Sequence, residues 1–396
     1  MADALLSARD WQAPPPNTNA RKVEIVSAHR WGEGTDQSKA LGTGEADLSI
    51  YTDPARFALE RDRMFRRTWH VAGRVEELPE AGDFLVWERI GQSILIARQA
   101  DGSLAGFHNV CQHRGSRIAS KSGHCDTGRL TCPFHGFVYD LAGRLVSVPQ
   151  RSTFDPAHLE GLRAAEVAVE AWGGWICVHF DPANAPPLEA YLGELVDELS
   201  WYGMEDWKYY GSSSYTVDAN WKIVLEGFLE AWHTPTAHAG SVRGGYEVQR
   251  STFATFDPHS MMVVPLAAID IDAAPQPVVH QQYADCHYLL FPSAFLNMFP
   301  DQGYMITVHP VDEQRTFCQG YVVARKTAPK GMKPEAWEKT VESSIGLMDR
   351  IMDEDLGIAR EIAVTRHSFG HRTNIYNTLE CRISAFHRQV EEFISD

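Results

Sequence analysis

NVCQHRG, residues 109–115, and CPFHGFVYD, residues 132–140, decide how the fold is read. Each holds one cysteine and one histidine, as Cys111-x-His113 and Cys132-x-x-His135, with 18 residues between the pairs. Two thiolates and two imidazoles in short loops close either a tetrahedral zinc site or a mixed-ligand iron–sulfur site. Three features favour the cluster over zinc. The single-residue spacing of the first pair is tighter than in zinc knuckles. Gly115, Pro133 and Gly136 are turn residues that let backbone N–H groups face cluster sulfides. Phe134, Phe137 and Tyr139 are placed to shield the site. Two imidazoles on one iron raise its potential above that of an all-cysteine cluster. Cys125 lies between the pairs and reads as structural.

Around these loops, residues 82–180 read as short strands. GDFLVWERI, SILIARQ, LAGFHNV, FVYDLAGRLVSV and GGWICVHF are rich in β-branched and aromatic residues, with Gly and Asp-Gly turns between them. Beyond Pro186-Pro187 the text alternates. LEAYLGELVDELSWYG and WKIVLEGFLEAWH have helical spacing. WKYYGSSSYTVDAN and most of residues 250–325 read as strands, and residues 334–364 and 377–395 as helices. The expected class is α+β: an N-terminal all-β domain and a C-terminal antiparallel sheet flanked by helices. The expected boundaries are 1–45 for a flexible Pro/Gly/Ser/Thr-rich arm, 46–180 for the β domain and 181–396 for the second domain. No GxGxxG or GxxxxGK[ST] follows a strand, which gives no sign of flavin, nicotinamide or other nucleotide binding.

A second constellation lies in NWKIVLEGFLEAWHTPTAHAG, residues 220–240. Read as a helix, it places Glu226, Glu230 and His233 on one face. Pro235 is expected to kink or end that helix and swing His238 toward His233. Two imidazoles and one carboxylate make the facial triad of non-haem iron(II).

The two Cys/His pairs, followed about a hundred residues on by Glu230-x2-His233-x4-His238, resemble the Rieske non-haem iron oxygenase family, specifically the catalytic alpha subunit of ring-hydroxylating and dealkylating oxygenases. The resemblance covers roughly residues 50–395. It implies a [2Fe–2S] cluster with Cys111 and Cys132 on one iron and His113 and His135 on the other. It implies a mononuclear Fe(II) held by His233, His238 and a later carboxylate. In DRIMDEDLGIAREI that carboxylate is Asp355, with Asp353 and Glu354 as near alternatives and Asp349 as a distant one. Glu230 is implied to link a cluster histidine of one subunit to an iron histidine of the next. Aspartate is commoner there, and glutamate occurs in branches that attack quaternary amines or dealkylate. Glu226 is read as a hydrogen-bonding neighbour of the iron or a packing residue, and His387 as a packed or surface histidine.

The implied reaction uses O2, with electrons from NADH through a separate reductase, directly or via a ferredoxin. The outcomes are hydroxylation of an aromatic or other apolar substrate, or N- or O-dealkylation. A Rieske electron-transfer or sensor protein without mononuclear iron is the alternative from another class. Leu289, Phe291, Phe295, Asn297 and Phe299 are the candidate substrate contacts, with Met261, Met262 and Val264 as further wall. The resemblance also implies a head-to-tail homotrimer and leaves a smaller beta subunit open. Net charge is -16 with a pI near 5.5, which disfavours nucleic acid as a partner. No run of 18 apolar residues marks a membrane helix, and MADALLSARDWQAPPP lacks the pattern of a signal peptide. Seven widely spread cysteines do not suggest a disulfide framework. The expected compartment is the cytoplasm.

Overall fold

The expected strand segments form in two sheets of seven strands and one of three. The computed structural model describes residues 37–242, 244–269 and 280–395. Two compact units result: Phe65–Tyr191, and the described residues of Met1–Met64 together with Leu192–Asp396.

In the first unit the larger sheet runs in the order 70–74, 175–179, 166–172, 104–108, 92–98, 83–89, 123–124. The smaller sheet is a meander of Arg129–Thr131, Val138–Asp140 and Leu145–Ser147. A buried cluster that includes Phe84, Leu95, Phe107, Phe137 and Tyr139 also contains Cys111 and Cys132. The two cysteines therefore sit in the core of this unit.

The second unit is built on an antiparallel sheet of β1 (Trp207–Val217), β2 (Thr252–Phe256), β3 (His259–Pro265), β4 (Ala284–Leu290), β5 (Ala294–Met298), β6 (Gln302–Pro310) and β7 (Thr316–Arg325). The spatial order is β1-β7-β6-β5-β4-β3-β2. Four helices matter for the site: α1 (Trp221–Glu226), α2 (Thr234–Ala237), α3 (Pro334–Thr365) and α4 (Cys381–Ser395). The long helix α3 presses on one face of the sheet. A Cβ added at Gly320 would lie 2.6 Å from Met348 Sδ, so a larger residue here would make the Met348 side chain shift. On the same side Tyr215 donates to Asp349 at 2.5 Å.

The boundary expected at residue 46 is corrected to 64/65. Gly44–Asp47 pairs with Thr373–Tyr376, and the backbone N–H of Gln37 donates to Phe253 at 2.9 Å. Residues 37–45 are therefore part of the second unit. The rest of the expected arm, residues 1–36, lies outside the described residues. The segment before residue 65 is held by charge. Lys222 and Glu60, both buried, form an ion pair at 2.6 Å. Trp221 Nε1 and Arg56 Nε also donate to Glu60, at 2.9 and 3.2 Å. Burial pulls the lysine pKa below its ordinary value, with Glu60 opposing. Breaking a buried pair leaves an uncompensated charge, at a cost of about 3–5 kcal/mol. Lys222→Met is expected to lower the melting temperature clearly, and Lys222→Met with Glu60→Leu to recover most of the loss, as read by calorimetry.

Candidate metal centres

The two cysteine loops close in the same way. Cys111 O accepts from Gly115 N–H at 2.9 Å, and Cys132 O accepts from Gly136 N–H at 3.1 Å. Cys111 N–H donates to Ser116 O and Cys132 N–H to Phe137 O, both at 2.8 Å. Gly115 and Gly136 have φ of 76° and 72°, the left-handed region that favours glycine. Their own N–H groups are spent on closing the loops. The backbone N–H directed at Cys111 is that of His113.

The donors are sorted by depth. Cys111 and Cys132 are buried with their thiols in contact, while His113 is half-buried and His135 exposed. The two imidazoles are 4.6 Å apart, and His113 stacks on Phe137 at 4.8 Å. His113 Nδ1 is buried with no protein partner among the described residues. Tyr139 donates to Cys111 Sγ at 3.4 Å and accepts from Gln112 N–H at 2.9 Å. Phe137 and Tyr139 shield the cysteines, whereas Phe134, 53% exposed, packs on the outer His135 ring at 3.8 Å. Cys125 bonds to Thr127 and to Arg129 O, apart from the four donors. Two inner thiolates, two outer imidazoles and an orphaned imidazole nitrogen fit a mixed-ligand iron–sulfur cluster.

The second centre rests on a broken helix. α1 ends at Glu226 with Gly227 as its cap, and residues 227–233 turn irregularly. The expected single helix face is thus corrected. Pro235 neither ends nor kinks a helix. It opens α2, where a missing N–H is not needed. His233 and His238 are the two caps of this one-turn helix, which brings their rings together.

Their Nε2 atoms are 3.1 Å apart. Asp355 Oδ1, from α3, is 3.1 Å from His238 Nε2 and 3.6 Å from His233 Nε2. Each outer nitrogen has its own carboxylate. Glu230 accepts from His233 Nδ1 and, at 3.1 Å, from His233 N–H. Glu354 accepts from His238 Nδ1 at 2.7 Å and from Ser241 Oγ at 2.6 Å. Burial alone would lower both imidazole pKa values. The carboxylates outweigh it, and both stand above the ordinary histidine value. Protons held on Nδ1 leave the two Nε2 lone pairs and Asp355 facing one space, with surplus negative charge around it. This donor set suits a divalent cation.

Among the alternatives, Asp353 is exposed, Asp349 is engaged by Tyr215, and Glu354 sits behind His238. Nothing in the sequence distinguished the supporting role of Glu354 from that of a ligand. Glu226 lies outside the group. It accepts from Tyr51 at 2.9 Å and is 3.0 Å from His387 Nε2. Glu354→Gln is expected to weaken iron binding about ten- to a hundredfold, as supporting carboxylates do, without altering the other centre. Ferrous titration followed by dialysis and metal analysis measures this.

The candidate substrate residues divide. Leu289, Phe295 and Asn297 share the sheet face that α3 covers, and Phe228 stacks on Phe295 at 5.1 Å. Met262 and Val264 share that face, whereas Met261 pairs with Tyr288 on the other. Phe291 is also displaced from the expected wall. It follows β4 and stacks on Phe393 of α4 at 5.1 Å. Phe299, just beyond β5, meets Tyr304 edge-on at 6.3 Å.

Residues 68–166 match the family described as Rieske [2Fe-2S] domain, and residues 204–396 match Ring hydroxylating alpha subunit (catalytic domain). The chain belongs to the Rieske oxygenase alpha-subunit family. It is 33% identical to biphenyl 2,3-dioxygenase subunit alpha of Rhodococcus jostii (strain RHA1), over 51% of this chain and 45% of that protein. It is 36% identical to the glycine betaine monooxygenase oxygenase subunit of Chromohalobacter salexigens, over 48% of this chain and 42% of that protein. It thus spans about half the length of the curated relatives it matches. In fold this Rieske alpha subunit is similar to the quaternary ammonium Rieske monooxygenase CntA. The TM-score is 0.76, with 20% identity over 90% of this chain and 97% of the other.

Proposed function

We propose that this chain is the terminal oxygenase component of a Rieske system. It uses O2, with electrons from a separate NADH-linked reductase, to hydroxylate an aromatic or other apolar organic substrate. The observation that carries the reading is the convergence of His233 Nε2, His238 Nε2 and Asp355 Oδ1 from two separate helical segments. An electron-transfer or sensor protein would have no need of that convergence. A second reading is oxidative dealkylation at nitrogen or oxygen. Glu230, in place of the commoner aspartate, favours it, as does the similarity to a glycine betaine monooxygenase subunit.

In this reading Cys111, Cys132, His113 and His135 would hold the cluster, and His233, His238 and Asp355 the iron. The bound metals supply single-electron transfer and oxygen activation. The chain's own residues position and insulate. Glu230 and Glu354 keep a proton on each Nδ1, so that both imidazoles present a lone pair inward. Glu230 also bonds the backbone of His233, so one carboxylate fixes the ring and its main chain together. In this reading Glu230 is the attachment of a charge-carrying link to a neighbouring subunit's cluster, in a head-to-tail trimer with or without a beta subunit. Phe228, Phe295 and Leu289 line an apolar wall that excludes water. The described helices include none long and apolar enough to cross a membrane, and a cytoplasmic setting belongs to the same reading.

Iron and acid-labile sulfide analysis of anaerobically purified protein tests the proposal, with visible and EPR spectra. About three irons and two sulfides per chain are expected, with a Rieske-type spectrum. Two irons with two sulfides, unchanged by added ferrous iron, would overturn the oxygenase reading in favour of electron transfer.

A further inference from the structure

The seven-stranded sheet of the second unit carries one acidic residue in all its strands, Asp285 on β4. It lies at the start of its strand, it is buried, and its side chain is on the face covered by α3. Buried carboxylates are retained only where donors meet them. Here Asn297 Nδ2 donates to Oδ1, and His287 Nε2 lies 3.0 Å from Oδ2. The Tyr246 hydroxyl bonds to the same carboxylate.

His287 and Asn297 are direct cross-strand partners. Every other residue of β4 and β5 is buried, and these two alone are partly accessible. The opening in these two otherwise buried strands therefore falls on two polar side chains. It adjoins the apolar wall, since His287 meets Phe295 edge-on at 5.2 Å and Phe295 stacks on Phe228. Phe228 lies on the same turn-rich segment as Glu230 and His233.

A neutral imidazole keeps one ring nitrogen as an acceptor whichever of the two carries the hydrogen. Nε2 lies beside the carboxylate, yet neither ring nitrogen of His287 makes a hydrogen bond among the described residues. Asn297 has its amide nitrogen turned to Asp285, so its carbonyl oxygen is the atom left for a ligand. Two acceptors beside an aromatic wall match a flat molecule with a hydrogen-bond donor. They do not match a trimethylammonium group, because the one carboxylate is already bonded by Asn297 and Tyr246.

We propose that His287 and Asn297, held by Asp285, are the specificity-determining pair of the substrate site, and that the substrate is a neutral aromatic compound bearing a ring hydroxyl or N–H group. This rests on the oxygenase reading above for the identity of the site as a substrate site. Asp285 is a positioning residue, since it acts through the other two.

The test is calorimetric binding to the purified full chain. The probes are phenol, aniline, toluene and anisole, the corresponding 2-substituted naphthalenes, and phenyltrimethylammonium. Leaving buried acceptors unpaired lowers affinity about ten- to a hundredfold, so the hydroxyl and amino compounds should bind tighter than the methyl compounds by that factor. His287→Phe and Asn297→Leu should each bring the donor and methyl compounds close to parity, by weakening the donor compounds only. Parity in the native chain, tighter binding of the ether or ammonium probe, or no binding at all overturns the proposal. So does a preference that survives both substitutions. If a variant does not fold, the native comparison still decides. Oxygen uptake by the holoenzyme with a reductase separates the two claims. Donor-selective binding without substrate-dependent oxygen use overturns the oxygenase reading alone. Oxygen use without donor selectivity overturns the specificity assignment alone.

Discussion

His233→Ala is expected to lower the iron content by about one atom per chain and to abolish substrate-dependent oxygen consumption, with the cluster spectrum unchanged. Of three inward donor atoms it removes one, leaving His238 Nε2 and Asp355 Oδ1 as a two-ligand site. It also leaves Glu230 without the imidazole and reduces that carboxylate to its bond with the backbone N–H of residue 233. The charge balance worsens as well, because Glu230, Glu354 and Asp355 then face one histidine instead of two. Metal analysis, an oxygen electrode and a visible spectrum on the same sample measure the three effects. Unchanged iron with lost turnover would mean that His233 serves the reaction without holding the metal. Loss of the cluster signal as well would mean a folding defect. His233→Gln, which keeps bulk and polarity, would then separate the two causes.

The candidate metal-centre residues were legible because their types are rare and their spacing is local. Cys111-x-His113 and Cys132-x-x-His135 sit on loops whose closure depends on Gly115 and Gly136, and both glycines are visible in the text. His233 and His238 were named through an incorrect intermediate. A continuous helix was expected, whereas Gly227 ends α1 and Pro235 starts α2. The two histidines are five positions apart and cap opposite ends of one short helical turn, so they still meet although the continuous helix does not form.

What was not legible depends on contacts between distant segments. Glu354 and Asp355 are adjacent in sequence, and only the direction of α3 decides which one faces the metal space and which one supports His238. Strand register sorts the sheet residues in the same way. One-residue parity puts Met262 on the α3 side and Met261 on the other, and composition cannot distinguish two methionines. Asp285 was overlooked because an acid at the start of an apolar strand reads as a loop residue. Its neighbours are Asn297, His287 and Tyr246, which no local pattern connects. The segment before residue 65 was misassigned for a related reason. Its anchor, the Glu60–Lys222 pair, joins residues 162 positions apart.

Cys111→Ser is expected to abolish the cluster spectrum and, with it, reductase-driven turnover, while the mononuclear site still takes up ferrous iron. The thiolate is the ligand form that iron–sulfur clusters use, and serine oxygen is a poor replacement. Burial pushes the Cys111 thiol pKa up, with Cys132 adding to the rise and the Tyr139 hydroxyl and His113 N–H opposing it. Those two donors are aimed at a sulfur that carries negative charge. Tyr139→Phe separates their role from that of the ligand itself. It removes the bond to Cys111 Sγ and leaves Gln112 N–H unpartnered, but all four donors remain. A cluster should therefore still assemble. Hydrogen bonds to the ligand sulfur stabilise the more negative, reduced state, so the variant's reduction potential should fall. Protein-film voltammetry reads the potential directly. A cluster retained in Cys111→Ser would remove this residue from the ligand set. A Tyr139→Phe potential equal to the native one would mean that the hydroxyl packs against the sulfur without tuning it.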